Sequence, residues 1–408
     1  MRISAFEALS SRSFRQLWLG SGSVAFARRI ELTALTWLVL QLTNSAQQVA
    51  WIAGARMLPM IVLGFAAGAL ADRYPKHRII ITTRVVVLLA SVTMLVLLLA
   101  GRAQPWLILA YTLVTGTAGT IEMCTLRSYI AAVVPSSAMP NAMTLQSVTF
   151  EASGLLGPLL AGILIPQGYH IVFASIVAMH ALGLLFMLSV EQRPAPSSAI
   201  AEEGVVKQIV DAARVVRANR VIWSALLVVT TLNFFGFSYQ PVISVIARDV
   251  LKVGPGLYGL LESMVGLGSL MTGLVVASSR VVSRRRLFYL GATLVFVTMF
   301  FFALSTSYQV SLLLFFVSGI GAAAFSTMQF TIVMEAAPPE MSGRVVGAEM
   351  LAIGAMPLGI FLMGRLAESW GPQTALAVLT ACGLVIMGTL QWRYPELLDR
   401  PTPKNQPV

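Results

Sequence analysis

At 408 residues, 57% hydrophobic and 11% charged, with a mean hydropathy of +0.81, the chain is too apolar for a soluble protein, which carries about 25% charged residues. It reads as an all-α polytopic membrane protein. Three His and two Cys are too few for a metal cluster or a disulfide framework, and the formal net charge of +11 lies in short loops between apolar runs, which points to membrane topology and away from nucleic acid.

A transmembrane helix needs about 20 mostly apolar residues, and twelve such segments follow one another along the chain. The first, 14–42, opens with FRQLWLG, is far longer than a signal-peptide core and has no small-residue cleavage site behind it, so it is expected to be retained. Its middle carries Arg28, Arg29 and Glu31. The second, 47–70, holds Arg56 and runs into GALADRYPKHRII, residues 68–80, where Asp72, Arg73, Lys76, His77 and Arg78 crowd into the gap before the third segment at 79–101. The fourth, 105–133, contains Glu122 and, five residues later, Arg127. Glu122 reads equally as a gate or coupling carboxylate and as half of an ordinary ion pair at a helix end. The fifth, 139–166, carries Glu151 and GLLGPLLAG, and the sixth, 169–190, closes the first half.

One long connector, 191–220, opens with RPAPSS and continues with Val206, Ile209, Val210, Ala213 and Val216 at helical spacing opposite Lys207, Asp211, Arg214 and Arg217. That pattern predicts an amphipathic helix on the membrane surface. The seventh segment, 221–247, contains TTLNFFGFSYQP. There Asn233, Tyr239 and Gln240 with Phe234, Phe235 and Phe237 make either a cavity wall that stacks planar groups or ordinary packing against helices and lipid. The eighth, 256–279, holds Glu262; the ninth is 287–305; the tenth, 309–334, offers Gln329 within STMQFT. The eleventh, 343–369, carries Glu349 and Arg365, read as structural partners, and the twelfth is 372–393. The expected domains are a six-helix bundle over 1–190, a cytoplasmic linker over 191–220, a second six-helix bundle over 221–393 and a cytoplasmic tail over 394–408.

Lys and Arg are concentrated in cytoplasmic loops. With the N-terminus inside, 21 of the 28 fall on the cytoplasmic side, Arg84 being counted with the first charged loop, and the opposite side keeps Arg102, Arg248 and Lys252. Both termini are therefore expected in the cytoplasm. The halves also repeat weakly at about 200 residues: TLRSYIAAVVPSSAMPNAMTLQS is echoed by TMQFTIVMEAAPPEMSGRVVGAEM, and Pro158 by Pro357. Repeated six-helix units with a site at their interface are a transporter architecture.

Arg28, Arg29, Glu31, Arg56, Glu151 and Glu262 all fall at or somewhat outward of the bilayer middle, counting about 1.5 Å per residue. An isolated charge there costs roughly 2.5–3.5 kcal/mol even on lenient scales. These six therefore pair with one another as a structural network or line a wetted cavity. Arg28 and Glu31, three apart, share a helix face, while Arg29 points about 100° away from Arg28, so one of the two arginines is expected to meet a neighbouring helix.

The stretch from Gly68 through Leu70, Asp72, Arg73, Lys76 and Arg78 resembles the loop signature of the major facilitator superfamily, with Pro75 where a Gly is usual. GLLGPLLAG resembles the helix 5 pattern of its antiporter branch. LTNSAQQVAWIAGARMLPMIVLGFAAGALADR and NAMTLQS look like the subfamily of enterobactin-type siderophore exporters and macrolide efflux proteins. The resemblance covers nearly the whole chain and implies twelve transmembrane helices in two six-helix bundles, alternating access, a cavity lined by helices 1, 4, 7 and 10, and a bacterial inner membrane. It also implies a cytoplasmic gate at Asp72, with Arg73, Arg78 and Arg127 around it. For Lys76 and Arg78, a purely topological role stays equally open.

The reading that follows is a proton-driven exporter of an amphipathic small molecule, a siderophore or a drug, with anionic substrates among the candidates. Glu31 and Glu151, then Glu122, are the proton-coupling candidates, and Arg28, Arg29, Arg56, Asn233, Phe234, Tyr239, Gln240, Glu262 and Gln329 the substrate-binding ones. The expected partners are substrate, protons and lipid, with the protein acting as a monomer and without a cofactor. An importer of the same fold and a non-transporting membrane sensor or assembly protein are the alternatives. No phosphate-binding G-x-x-x-x-G-K-[ST] loop and no Ser/His/Asp or paired-His arrangement points to an enzyme.

Overall fold

The computed structural model describes residues 7–191, 217, 219–278, 283–337 and 342–398, by backbone alone at 7, 62–73, 127, 136, 277–278, 342–344 and 397. Among them every regular element is helical. In chain order the helices are α1 (Arg12–Thr43), α2 (Ala46–Arg73), α3 (Lys76–Leu99), α4 (Pro105–Val133), α5 (Met139–Leu164), α6 (Tyr169–Leu188), α7 (Arg220–Thr231), α8 (Gln240–Asp249), α9 (Pro255–Ser278), α10 (Arg284–Leu304), α11 (Tyr308–Ala336), α12 (Ser342–Ile353), α13 (Met356–Trp370) and α14 (Pro372–Arg393). The amphipathic helix expected within 206–217 lies outside the described residues, apart from Arg217.

Among the described residues ten helical stretches are long and apolar enough to cross a membrane. Of the long helices, α1 and α2 stand outside that set, and α1 carries at least three charged residues in every window of 18. Those charges have to be satisfied by packing, because hydrocarbon offers them nothing.

Two predicted segments are broken helices. After α7 the chain makes a π-helical turn over Leu232–Gly236 and a 3-10 turn over Phe237–Tyr239 before α8 begins with Gln240 and Pro241. A proline one residue into a helix supplies no amide for the preceding ladder, and its ring crowds the carbonyl four residues back, so the ladder has to shift register or stop. The break between α12 and α13 falls at Gly354 and Ala355, just before Pro357.

The chain forms two compact units, one of residues 1–202 with 240–266, the other of 203–239 with 267–408. In the first, α1 packs on α5 and α6, α2 on α4, and α3 on both α4 and α6, while α8 lies on α2 and α1. Arg248 of α8 donates to Leu40 O at 3.1 Å and Asn44 Oδ1 at 2.8 Å. Asn44 takes the left-handed conformation that ends α1 (φ 50°), a role suited to Asn because its short polar side chain tolerates positive φ. The opening half of α9 approaches α5 backbone to backbone: a Cβ on Gly162 would come 2.9 Å from Pro255 O and 3.0 Å from Gly256 O. Small residues at such a crossing let two helices touch where any side chain would hold them apart.

In the second unit α10 packs on α11 and α14. Gly291 and Gly321 mark the α10–α11 crossing, each placed so that a Cβ would come 2.7 Å from the other's carbonyl oxygen. Around it Phe288 stacks on Phe325 at 5.1 Å and Phe302 meets Phe315 edge-on at 4.7 Å, arrangements that suit the ring quadrupoles.

Candidate functional site

The centre of the first unit is a buried network of charge. Arg28 of α1 donates to Glu122 Oε2 of α4 at 2.5 Å, and Arg84 of α3 donates through Nε to Glu122 Oε1 at 2.9 Å. Glu122 is thus one carboxylate between two guanidiniums, and the triad carries one net positive charge. Arg84 is 1% exposed and spends its other donors on Gly183 O at 2.6 Å and Ser21 Oγ at 3.3 Å. Room for it comes from Gly20, where a Cβ would stand 2.9 Å from the Arg84 guanidinium. By contrast, 31% of the Arg28 side chain is exposed.

A second pair lies alongside. Arg56 of α2 donates to Glu31 Oε1 at 2.7 Å, and Thr115 of α4 reaches the same oxygen at 3.5 Å. Glu31 is fully buried and its Oε2 has no hydrogen-bond partner. Helix geometry separated Arg28 from Arg29, and the structure sends both to neighbouring helices: Arg28 to α4, Arg29 to α5, where its guanidinium lies 4.8 Å from the Phe150 ring centre. The Arg29 charge attracts Glu151 of α5 and Glu262 of α9. Glu262 accepts from Thr33 at 2.7 Å and from Tyr258 at 2.9 Å, while the Tyr258 hydroxyl lies 3.0 Å from that of Thr36 and its ring stacks on Trp37 at 4.9 Å.

Of the residues singled out in the sequence, Arg28, Arg29, Glu31, Arg56, Glu122, Glu151 and Glu262 therefore come together in one unit. Glu122, read in the sequence as near a helix end with Arg127 beside it, is tied instead to Arg28 and Arg84. The residue missed was Arg84, counted there with the loop charges. Its signal was present: in RIIITTRVVVLL it interrupts an apolar run, which in a membrane segment marks a buried partner.

Gln240, the first residue of α8, belongs to this same unit. Asn233, Phe234, Tyr239 and Gln329 belong to the second. Asn233 is buried and donates to Val229 O of its own helix at 2.9 Å. Phe234 meets Phe235 edge-on at 4.7 Å, and Tyr239 meets Phe315 at 6.2 Å, so these rings pack largely within their unit. Gln329 is buried with no hydrogen-bond partner on Oε1. Of the gate residues, Arg78 stands exposed in the first turn of α3, and the side chains of Asp72, Arg73 and Arg127 lie outside the described ones.

Long apolar helices with ionised groups paired between them mark a polytopic membrane protein, and solved structures share its fold. The chain superposes on a POT family transporter in complex with a thioalcohol-conjugated peptide, with TM-score 0.77 and 12% identity over 95% of this chain and 97% of that one. It also superposes on a bacterial homologue of the human lysosomal transporter Spinster in an inward-facing, unoccupied conformation, with TM-score 0.73 and 16% identity over 96% and 99%. The protein belongs to the transmembrane secretion effector family of the major facilitator superfamily, whose model matches residues 3–399. Among its relatives it is 26% identical to the multidrug efflux pump Tap of Mycolicibacterium fortuitum over 95% of both chains. It is 22% identical to the staphyloferrin A transporter of Staphylococcus aureus over 85% of this chain and 87% of that one, and 20% identical to macrolide efflux protein A of Streptococcus pyogenes over 88% and 90%.

Proposed function

We propose that this transporter is a proton-driven exporter of an anionic, amphipathic small molecule, working by alternating access of two six-helix bundles with both termini in the cytoplasm. The observation that carries the anionic substrate is the sharing of Glu122 between Arg28 and Arg84. Full one-to-one pairing would leave no positive field for a ligand. Here Arg84 is spent on buried acceptors, and Arg28 keeps a partly exposed side chain beside a carboxylate already engaged elsewhere. A guanidinium suits a carboxylate or other planar anion because it donates two parallel hydrogen bonds. The names of the relatives, a siderophore transporter and two drug efflux proteins, support a substrate among siderophores or drugs, and the acidic siderophores fit the arginines best.

Coupling belongs to the carboxylates of the same unit, Glu31 and Glu151 first and Glu122 next, since an anion arriving at Arg56, Arg29 or Arg28 competes with Glu31, Glu151 or Glu122 in turn for the same cation. Arg29 and Arg56 are the further substrate contacts, and Asp72 is the cytoplasmic gate with Arg73, Arg78 and Arg127. Binding to the purified protein tests the substrate class. Anionic catecholate or carboxylate siderophores are expected to bind, and Arg28→Ala to weaken them about 10- to 150-fold, the loss of about 1.5–3 kcal/mol that a hydrogen bond to a charged group is worth. Tight binding of lipophilic cations alone, unchanged by Arg28→Ala, overturns the proposal.

A further inference from the structure

Glu349 is the one charged residue among the described ones that is wholly buried with neither side-chain oxygen hydrogen-bonded. It lies in α12 on a stripe with Val345 and Ala352, spaced at 4 and 3 residues, all of them buried. That is the core-facing side of a helix. The helices packed against α12 are α7 and α11. Their charged groups are committed elsewhere: Arg220 of α7 pairs with Glu396 at 3.0 Å, and Glu335 of α11 pairs with Arg284. On α12 itself Arg344 stands five positions earlier, about 140° round the helix. Uncharged polar groups on these helices include Ser224 and Thr231 of α7, which donate to Val221 O at 3.1 Å and Leu227 O at 2.7 Å, and Gln329 of α11.

An ionised carboxylate with no cation and no donor costs several kcal/mol or more to bury, and the group avoids that cost by taking a proton. Neither oxygen of Glu349 accepts from Gln329, whose Oε1 is likewise without a partner.

We infer that Glu349 carries a transported proton in the second unit, bound when the α7, α11 and α12 packing is closed as it is here. When that packing opens and water reaches the stripe, the O–H bond breaks, the proton passes to water and the carboxylate is left hydrated. This goes beyond Glu31 and Glu151 of the first unit and rests on the exporter reading only for what the proton drives.

Infrared spectroscopy of the purified protein in nanodiscs at neutral pH reads the protonation directly. The C=O stretch of a protonated carboxyl is expected in the wild type and should be reduced by one group in Glu349→Gln, a neutral near-isostere that keeps the fold. Glu349→Asp is expected to retain the band at a shifted frequency, and Glu349→Met to lose it, giving a second variant should Gln fail to fold. An undiminished band in both Glu349→Gln and Glu349→Met overturns the inference. In proteoliposomes Glu349→Gln should still exchange substrate for substrate while proton-driven accumulation falls at least tenfold; full accumulation by that variant also overturns it. A lost band in a protein that moves no substrate supports the proton site and counts against the exporter reading.

Discussion

Glu122 is where single residues matter most, because its loss leaves Arg84 charged, buried and short of the carboxylate it holds among the described residues. Breaking a buried ion pair from one side costs about 3–5 kcal/mol, so Glu122→Gln is expected to lower the thermal midpoint of the detergent-solubilised protein markedly. Arg28→Gln should lower it less, because Glu122 keeps Arg84 at 2.9 Å and Arg28 is already part exposed. Equal losses for the two variants would mean that Arg28 is as deeply committed to the network as Arg84. Coupling is tested at the same scale. With Glu31→Gln and Glu151→Gln in proteoliposomes, substrate-induced proton movement is expected to drop in one of them, and wild-type stoichiometry in both would move coupling to Glu122 or Glu349.

At the scale of elements, the α5 motif acts through approach between helices. Gly162→Ala puts a methyl group against the carbonyls of Pro255 and Gly256, whereas Gly273, further along α9, has nothing within 4 Å. Overpacking of this kind costs about 1–3 kcal/mol. Gly162→Ala should therefore lower both the thermal midpoint and the transport rate, and Gly273→Ala neither. An inert Gly162→Ala would show that the α5–α9 crossing has slack. The broken helices follow the same logic in reverse: Pro241 and Pro357 end regular ladders by removing a donor, and the chain passes from the second unit to the first between Tyr239 and Gln240, at the first of these breaks.

For the molecule as a whole, alternating access needs contacts that hold in one state and release in the other. Asp72→Asn is expected to leave expression and insertion unchanged and to cut transport several-fold, and normal flux at equal protein level would remove Asp72 from the mechanism. Topology is checked separately. With Cys124 and Cys382 replaced by Ser, a Cys at position 3 or 404 should react with a membrane-impermeant maleimide only after the membrane is opened.

The sequence by itself determined the class, because hydropathy, segment length and loop charge are local quantities that hydrocarbon forces on any chain crossing it. It also exposed the intramembrane charges other than Arg84, since each stands out against an apolar run, and the broken seventh and eleventh segments could be suspected from Pro241 and Pro357. Only the tertiary structure decided the pairing. Arg28 lies 94 positions from Glu122 and Arg84 lies 38 from it, and nothing in the spacing along three helices says which cation meets which acid. Packing made that choice, because a buried charge is tolerated only where another element brings its counterpart. Arg84 and Glu349 show both outcomes. One looked like a loop charge and became the most enclosed guanidinium of the network; the other looked like half of a structural pair and was left in a dry stripe with no partner.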